Sequence, residues 1–381
     1  MELSGEDWDG LLRKSARHHV APLLYHRLTA FHPGVRVPAE ILRKLRNGYL
    51  QSAGRNTHLY HDLGKILGRL QQHGIPVIAL KGAHLAIAAY RNIALRPMAD
   101  IDLLVHQRDL PGVQAVLVEL GYAASKGEIF SAHEQLPAYR KKDSICVEVH
   151  FNITEPPFSC RVDVDKLFDR ARPFLIEGTA ALSLCPEDIL IHLCMHASYH
   201  HGFDNGILPL FDIATVVEHY EGEIDWGEVF RRSEEWGVAK CVCLTLSLAE
   251  TVAGVSIPGK SRVGMDVCSD DFNAKTAAEE LLFGQGTRIM PNLARLFGNS
   301  GLREKASHFL CRAFPPKNTM SDMNPGKKNP FSFCLLYYYR IKGLLNRHGQ
   351  TAWKLLLRDN EMSALAGLEN RRNALKDWLI Q

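Results

Sequence analysis

Pro76-Val-Ile-Ala-Leu-Lys-Gly82 and Asp100-Ile-Asp-Leu-Leu-Val105 are the two stretches that decide the fold. Each is a short apolar run bounded by turn or charged residues, as a buried strand requires. Between them, Ala83–Tyr90 reads as a short helix and residues 91–97 as a loop. A third strand is expected at Ile145-Cys-Val-Glu-Val-His-Phe151. Its alternation puts Glu148 and His150 on one face and Val147, Val149 and Phe151 on the other. Asp109 is placed to cap an intervening helix with Val113, Val116, Leu117 and Leu120 on its inner face and Gly121 at its end. Strands interleaved with helices over residues 74–153 describe a small α/β core.

Working outward, the flanks are helical. Residues 6–31 carry Leu11, Leu12, Ala16, Val20, Leu23, Leu24 and Leu28 at helical spacing, and a second tract runs from Pro38 to His73 before Gly74. Downstream, residues 187–201, 208–220 and 226–253 each show helical periodicity. Residues 255–275 are weakly patterned, 312–331 read as a loop rich in Pro, Asn and Lys, and helical signals resume at 333–345 and 352–378. The expected divisions are a helical segment over 1–50, a core over 51–178 and a helical region over 179–381.

Composition narrows the function classes. A chain of 381 residues with 46% hydrophobic and 23% charged residues has ordinary globular composition, which excludes a disordered chain. A formal charge of +3 is too small to mark a general nucleic-acid binder. Nine cysteines without a Cys-x-x-Cys pair read as reduced, mostly buried thiols. The acidic N-terminus has no apolar signal core and no apolar run is long enough to span a membrane, so a cytoplasmic location is expected.

The chemistry centres on Asp100 and Asp102. On a strand, i and i+2 share a face, and two adjacent carboxylates call for a cation between them. Oxygen donors of this kind suit Mg²⁺ shared with substrate phosphates, though a solvated pair at a strand entrance would look the same. Lys81-Gly82 ends a strand before a helix, where glycine admits a phosphate and the lysine can counter its charge. Arg96 can aim at the same phosphates, or pair with Asp100 or Asp102. Glu148 can complete a three-acid cluster as metal ligand or general base, or pair with Lys141 or Lys142.

Taken together, Gly74-Ile-Pro-Val-Ile-Ala-Leu-Lys-Gly82, Leu95-Arg-Pro-Met-Ala-Asp-Ile-Asp-Leu-Leu-Val105, Glu148-Val-His150 and Glu187-Asp-Ile-Leu-Ile-His-Leu-Cys-Met-His196 resemble an uncharacterised bacterial nucleotidyltransferase family of the DNA-polymerase-β-like superfamily. Asp7-Trp8 and Asn56–Leu70 also fit its pattern, and the resemblance covers roughly residues 5–220. It implies that Gly82 contacts the triphosphate, that Asp100 and Asp102 hold divalent ions, and that Glu148 is the third acid. Two departures stand out. Ala83 replaces the commoner Gly or Ser, and Glu148 replaces the commoner Asp, with His150 placed to share or replace its role.

His192, His196 and His200 fall at i, i+4 and i+8 on an expected helix. Such spacing can hold zinc, but a face packed on the core or lining the cleft fits without a metal motif. His150, His196, His200 and Asp212 are the expected acceptor-pocket residues; Asp212 can equally be a helix cap or ion-pair partner. Interleaved aromatic and basic residues at 335–343 and 346–348 suit an RNA or peptide surface, or an amphipathic helix.

The reading is an α+β fold: a small mixed-sheet nucleotidyltransferase core embedded in a mostly α-helical chain. The expected activity is Mg²⁺- or Mn²⁺-dependent transfer of a nucleoside monophosphate from an NTP, ATP first, to a hydroxyl or amino group, releasing pyrophosphate. Asp100, Asp102 and Glu148 are the catalytic and metal residues; Lys81, Gly82 and Arg96 hold the nucleotide. The acceptor is a small molecule or a peptide or protein, with nucleic acid third and no membrane partner. The alternatives are a non-catalytic nucleotide-binding or partner protein that retains the fold, and phosphoryl transfer by the same acids.

Overall fold

A computed structural model describes residues 3–30, 36–125, 134–141, 145–258, 272–284 and 360–380. The expected loop at 312–331, the helical tract at 333–345 and the aromatic–basic stretches lie outside the described residues, as do most of 255–275 and the start of 352–378. The chain divides into two compact units, Met1–Lys275 and Thr276–Leu379. In the second, the helix Asn360–Ile380 carries Arg371, which pairs with Glu280 of the helix Phe272–Phe283.

The first unit opens with α1 (Gly5–Arg17) and α2 (Ala21–Ala30). A single tract was expected here, but His19 takes a left-handed conformation (φ 59°) that breaks it. Ser4 and Asp7 close a reciprocal capping box on α1. Trp8 packs with Ile41 and Leu45 in a small separate core. α3 (Ala39–Gln72) matches the expected second tract, and its buried stripe Leu59, Leu63, Ile66, Leu67 and Leu70 packs on the sheet.

The mixed sheet is larger than the three expected strands. Its strands are β1 (Ile78–Ala79), β2 (Asp100–Leu104), β3 (Ala123–Ala124), β4 (Tyr139–Arg140), β5 (Cys146–His150), β6 (Arg172–Ile176) and β7 (Thr179–Ser183), in the order β3-β4-β5-β2-β1-β7-β6. β1 runs antiparallel to β2 and parallel to β7, and β2 runs parallel to β5. Ile101, Leu103, Val147 and Val149 face the core with Val113, Val116 and Leu117 of α5 (Leu110–Glu119). Asp109 precedes α5 but its side chain makes no capping bond, because a short 3₁₀ turn at Gln107–Asp109 already holds it in helical backbone.

The β6–β7 hairpin has no counterpart among the expected strands. Its two-residue turn is Glu177-Gly178, both left-handed at φ 50° and 74°. The hairpin lies across residue 178, so the sheet continues into the region expected to be helical.

α4 (Lys81–Ala88) and α6 (Val164–Asp169) flank the sheet. The helical part comprises α7 (Pro186–Met195), α8 (Leu208–His219), α9 (Trp226–Glu235) and α10 (Ala239–Ala253). α9 and α10 were expected as one helix, but Gly237 (φ 72°) separates them. Residues 187–201 are not one regular helix either, since His196–His200 form a π-helical turn closed by His201 N–H donating to His196 O at 3.2 Å. No helix among the described residues is long and apolar enough to cross a membrane. Among those residues six cysteines are free thiols, all buried except Cys160.

Candidate active site

The end of β1 and the start of β2 meet because the two strands are antiparallel, and Leu80 N–H donates to Asp102 O at 3.0 Å. Lys81 follows in a left-handed backbone conformation (φ 44°) that a non-glycine residue adopts at a cost. That turn aims its side chain back across the sheet, where Nζ donates to Asp102 Oδ1 at 2.8 Å. The α4 N-terminus, which begins at Lys81 itself, has no side-chain cap.

Strand register then assembles the acids. Asp102 lies directly beside Glu148, and Asp100 two residues earlier lies on the same face. His150 Nε2 donates to Asp102 Oδ1 at 3.0 Å and stands 3.9 Å from Glu148 Oε2. Asp102, Glu148 and His150 are the described side chains whose ligand atoms converge, all within 4.8 Å of one another. Asp100 stands next along β2, outside that trio.

Burial opposes ionisation of Asp102, but the Lys81 ammonium and the His150 hydrogen bond outweigh it and hold the carboxyl far below the usual range. Burial also works against the Lys81 ammonium, which the Asp102 charge more than restores. Asp100 moves the other way, raised by burial and by the Asp102 charge. Burial lowers His150 against the pull of its bond to Asp102, so the imidazole is neutral at pH 7. The site therefore sets an anionic Asp102 between a cation and a neutral imidazole.

α3 holds the start of α4 and the loop before β2, which both approach this face. Tyr60 OH donates to Ala83 O at 3.0 Å, and Asn56 Nδ2 donates to Arg96 O at 2.8 Å. Arg96 does not reach Asp100 or Asp102 in a hydrogen bond. Its guanidinium is spread on Asp212 of α8, with Nη2 2.9 Å from Oδ2, and Tyr90 OH donates to the same carboxylate at 2.8 Å. Arg96 and Asp212 are thus brought together as a buried ion pair. Gly82 lies under that pair: a Cβ there would press on Arg96 Nη1 and come within 2.7 Å of Met98 Sδ. Gly82→Ala is expected to cost about 1–3 kcal/mol through this overpacking, measured by denaturant unfolding.

The histidines gather on the same side. The π-helical turn brings the rings of His196 and His201 to 4.4 Å, while His192 and His200 lie 6.3 and 6.0 Å from His196. His200 Nε2 is 3.4 Å from Thr154 Oγ1. Burial, then the Lys81 charge, drives the His196 and His200 pKa values well down, and the same causes take His192 to about 3. These rings are a neutral wall beside the acids.

Glu134 is a neighbour that sequence reading missed. Burial, then the charge of Glu155, lifts its carboxyl to about 7, and its Oε2 is buried without a hydrogen-bond partner. An unfolded carboxyl titrates near 4.3, so folding penalises the ionised form only as pH rises from about 4.3 towards 7. Glu134→Gln is expected to leave stability unchanged at pH 4 and raise it at pH 8 by about 1–2 kcal/mol, discounted for the side chain's partial exposure. Urea unfolding at the two pH values reads the difference.

The family described as "Uncharacterised nucleotidyltransferase" matches residues 4–254. No curated protein matches the chain. Among solved structures, the antibiotic-resistance factor ANT(2'')-Ia in complex with adenylyl-2''-tobramycin is 12% identical, with a TM-score of 0.34 over 47% of this chain and 96% of that one. A solution structure of ANT(2'')-Ia is likewise 12% identical, with a TM-score of 0.34 over 52% and 96%. An antigenic nucleotidyltransferase-like protein from Paracoccidioides brasiliensis is 17% identical, with a TM-score of 0.37 over 54% and 96%.

Proposed function

Since the chain belongs to the uncharacterised nucleotidyltransferase family, we propose that it moves a nucleoside monophosphate from an NTP, ATP first, to a hydroxyl or amino group of a small-molecule or peptide acceptor. The observation that carries this reading is the placement of Asp102 beside Glu148, with the Lys81-Gly82 turn at the same end of the sheet. Net charge of +3 ranks nucleic acid behind these acceptors.

The donor set fits a divalent ion, because carboxylate oxygens converge there and the ammonium of Lys81 already answers their charge. Asp100, Asp102 and Glu148 would hold Mg²⁺ or Mn²⁺, which when bound supplies charge neutralisation on the triphosphate and polarises the reacting phosphorus. The chain's own groups do the rest. The backbone N–H groups at the start of α4 and the Lys81 ammonium bind the phosphates. Gly82 leaves room for Arg96 and Met98 against the turn, and Arg96 fixes that turn from below through Asp212. The acceptor oxygen or nitrogen attacks the α-phosphorus, the bond to the bridging oxygen breaks, pyrophosphate leaves, and Glu148 takes the acceptor proton. His196 and His200 shape the acceptor side as neutral donors. The described cysteines, free and mostly buried, suit a reducing compartment such as the cytoplasm.

Calorimetric titration of each NTP, with and without Mg²⁺, into wild type and an Asp100→Ala/Asp102→Ala variant tests this. Metal-dependent binding lost in the variant is the expected result. Binding that ignores both metal and variant would sink it.

A further inference from the structure

The three converging side chains are not all carboxylates. His150 brings an imidazole nitrogen to the same small volume as the Asp102 and Glu148 oxygens, within 4.8 Å. It gets there because it follows Glu148 by two residues on β5 and leans diagonally onto Asp102. A purely oxygen-lined pocket suits Mg²⁺, whereas imidazole donors favour first-row transition ions. A second observation lies alongside. His192 is 3% exposed, its buried imidazole has only a loose contact with the Ile153 backbone, and it feels the charges of Lys81, His150 and Asp102. A buried imidazole short of a full hydrogen bond is a place for an ordered water beside the site. The site is already built around a positive charge, the Lys81 ammonium 2.8 Å from Asp102.

We propose that Asp102, Glu148 and His150 form a mixed carboxylate–imidazole site that takes one transition-metal ion of the Mn²⁺ or Co²⁺ type in preference to Mg²⁺, displacing the Lys81 ammonium towards the phosphates. The inference rests on the proposed nucleotidyl-transfer site and names its ion. His150 binds the ion through Nε2 with its N–H proton on Nδ1, and Lys81, released from Asp102, becomes a phosphate contact. Metal entry and nucleotide binding are coupled through that one lysine.

The test uses the full chain and the metal alone. Mn²⁺ is added without nucleotide, and its electron-spin-echo modulation is recorded for unlabelled protein and for protein carrying ¹⁵N-histidine. A directly bound ¹⁴N imidazole signal, replaced by the ¹⁵N pattern on labelling, is expected. His150→Gln should remove it and weaken Mn²⁺ binding by about 10–100-fold, with Mg²⁺ binding changed far less. The wild-type labelling result stands even if the variant fails to fold. An oxygen-only signal, a nitrogen that persists in a folded His150→Gln protein, or Mg²⁺ binding as tight as Mn²⁺ overturns the inference. Mg²⁺-supported nucleotidyl transfer beside an oxygen-only signal would defeat this inference and leave the transfer reading intact. A nitrogen-bound ion without any nucleotide binding would do the reverse.

Discussion

Asp102→Asn is expected to lower nucleotidyl transfer by at least about 10³-fold, the scale on which a preorganised charge at the reacting centre acts. Three contacts converge on this carboxylate: Lys81 at 2.8 Å, His150 at 3.0 Å and the neighbouring strand position of Glu148. The amide keeps the shape and removes the charge. It also strands a buried ammonium, so a loss of stability of about 3–5 kcal/mol accompanies the lost activity. Asp102 is held well below an unfolded carboxyl, so its stabilisation is present above about pH 4 and fades as pH falls towards the folded value. The Asp102→Asn/Lys81→Met double variant separates the two effects. It should recover much of the stability, read by urea unfolding, and none of the turnover. Recovery of turnover in the double variant would mean that the carboxylate serves only to neutralise Lys81.

Asp188→Ala is expected to destabilise the first unit by about 3–5 kcal/mol, because it leaves two arginines without their shared partner. Asp188 is fully buried in the first turn of α7. Arg170 at the end of α6 donates to it through Nε at 3.0 Å, and Arg232 of α9 through Nη1 at 2.9 Å. The carboxylate therefore ties the sheet's flanking helix to the helical part that carries the histidines. Loss of the tie should also loosen His192, which lies one turn further along α7. Urea unfolding gives the energy, and Asp188→Asn, which can still accept from one arginine, should cost less than Asp188→Ala. Equal stability of wild type and Asp188→Ala would show that the two arginines find solvent instead.

Much of the site is local and therefore readable from the chain. Period-2 alternation puts Asp100 with Asp102 and Glu148 with His150, and both pairs share a face in the sheet. The Lys81-Gly82 turn sits where a strand gives way to a helix, although the helix starts two residues earlier than its periodicity suggests. What was not readable is long-range. Asp102 meets Glu148 across 46 positions only because β5 joins β2 in parallel, and nothing in either strand names its partner. Arg96 and Asp212 each invite a functional reading alone, and only the fold shows them neutralising one another. The β6–β7 hairpin escaped notice because its turn is Glu-Gly rather than Asn-Gly or Asp-Gly, and Pro173 reads against a central strand, as its edge position allows. The π-helical turn at His196–His200 depends on one shifted hydrogen bond, which no periodicity of side chains encodes.

Transfer at the α-phosphorus has one direct test. ATP labelled at the α-phosphorus, and in parallel at the γ-phosphorus, is incubated with the protein, Mn²⁺ or Mg²⁺, and separate pools of small amines and alcohols, peptides and transfer RNA. The predicted result is α-label on a new species in one pool, pyrophosphate formed in equal amount, and neither with Asp102→Asn. Label moving from the γ-position, with nucleoside diphosphate left behind, would contradict it and assign phosphoryl transfer to the same acids.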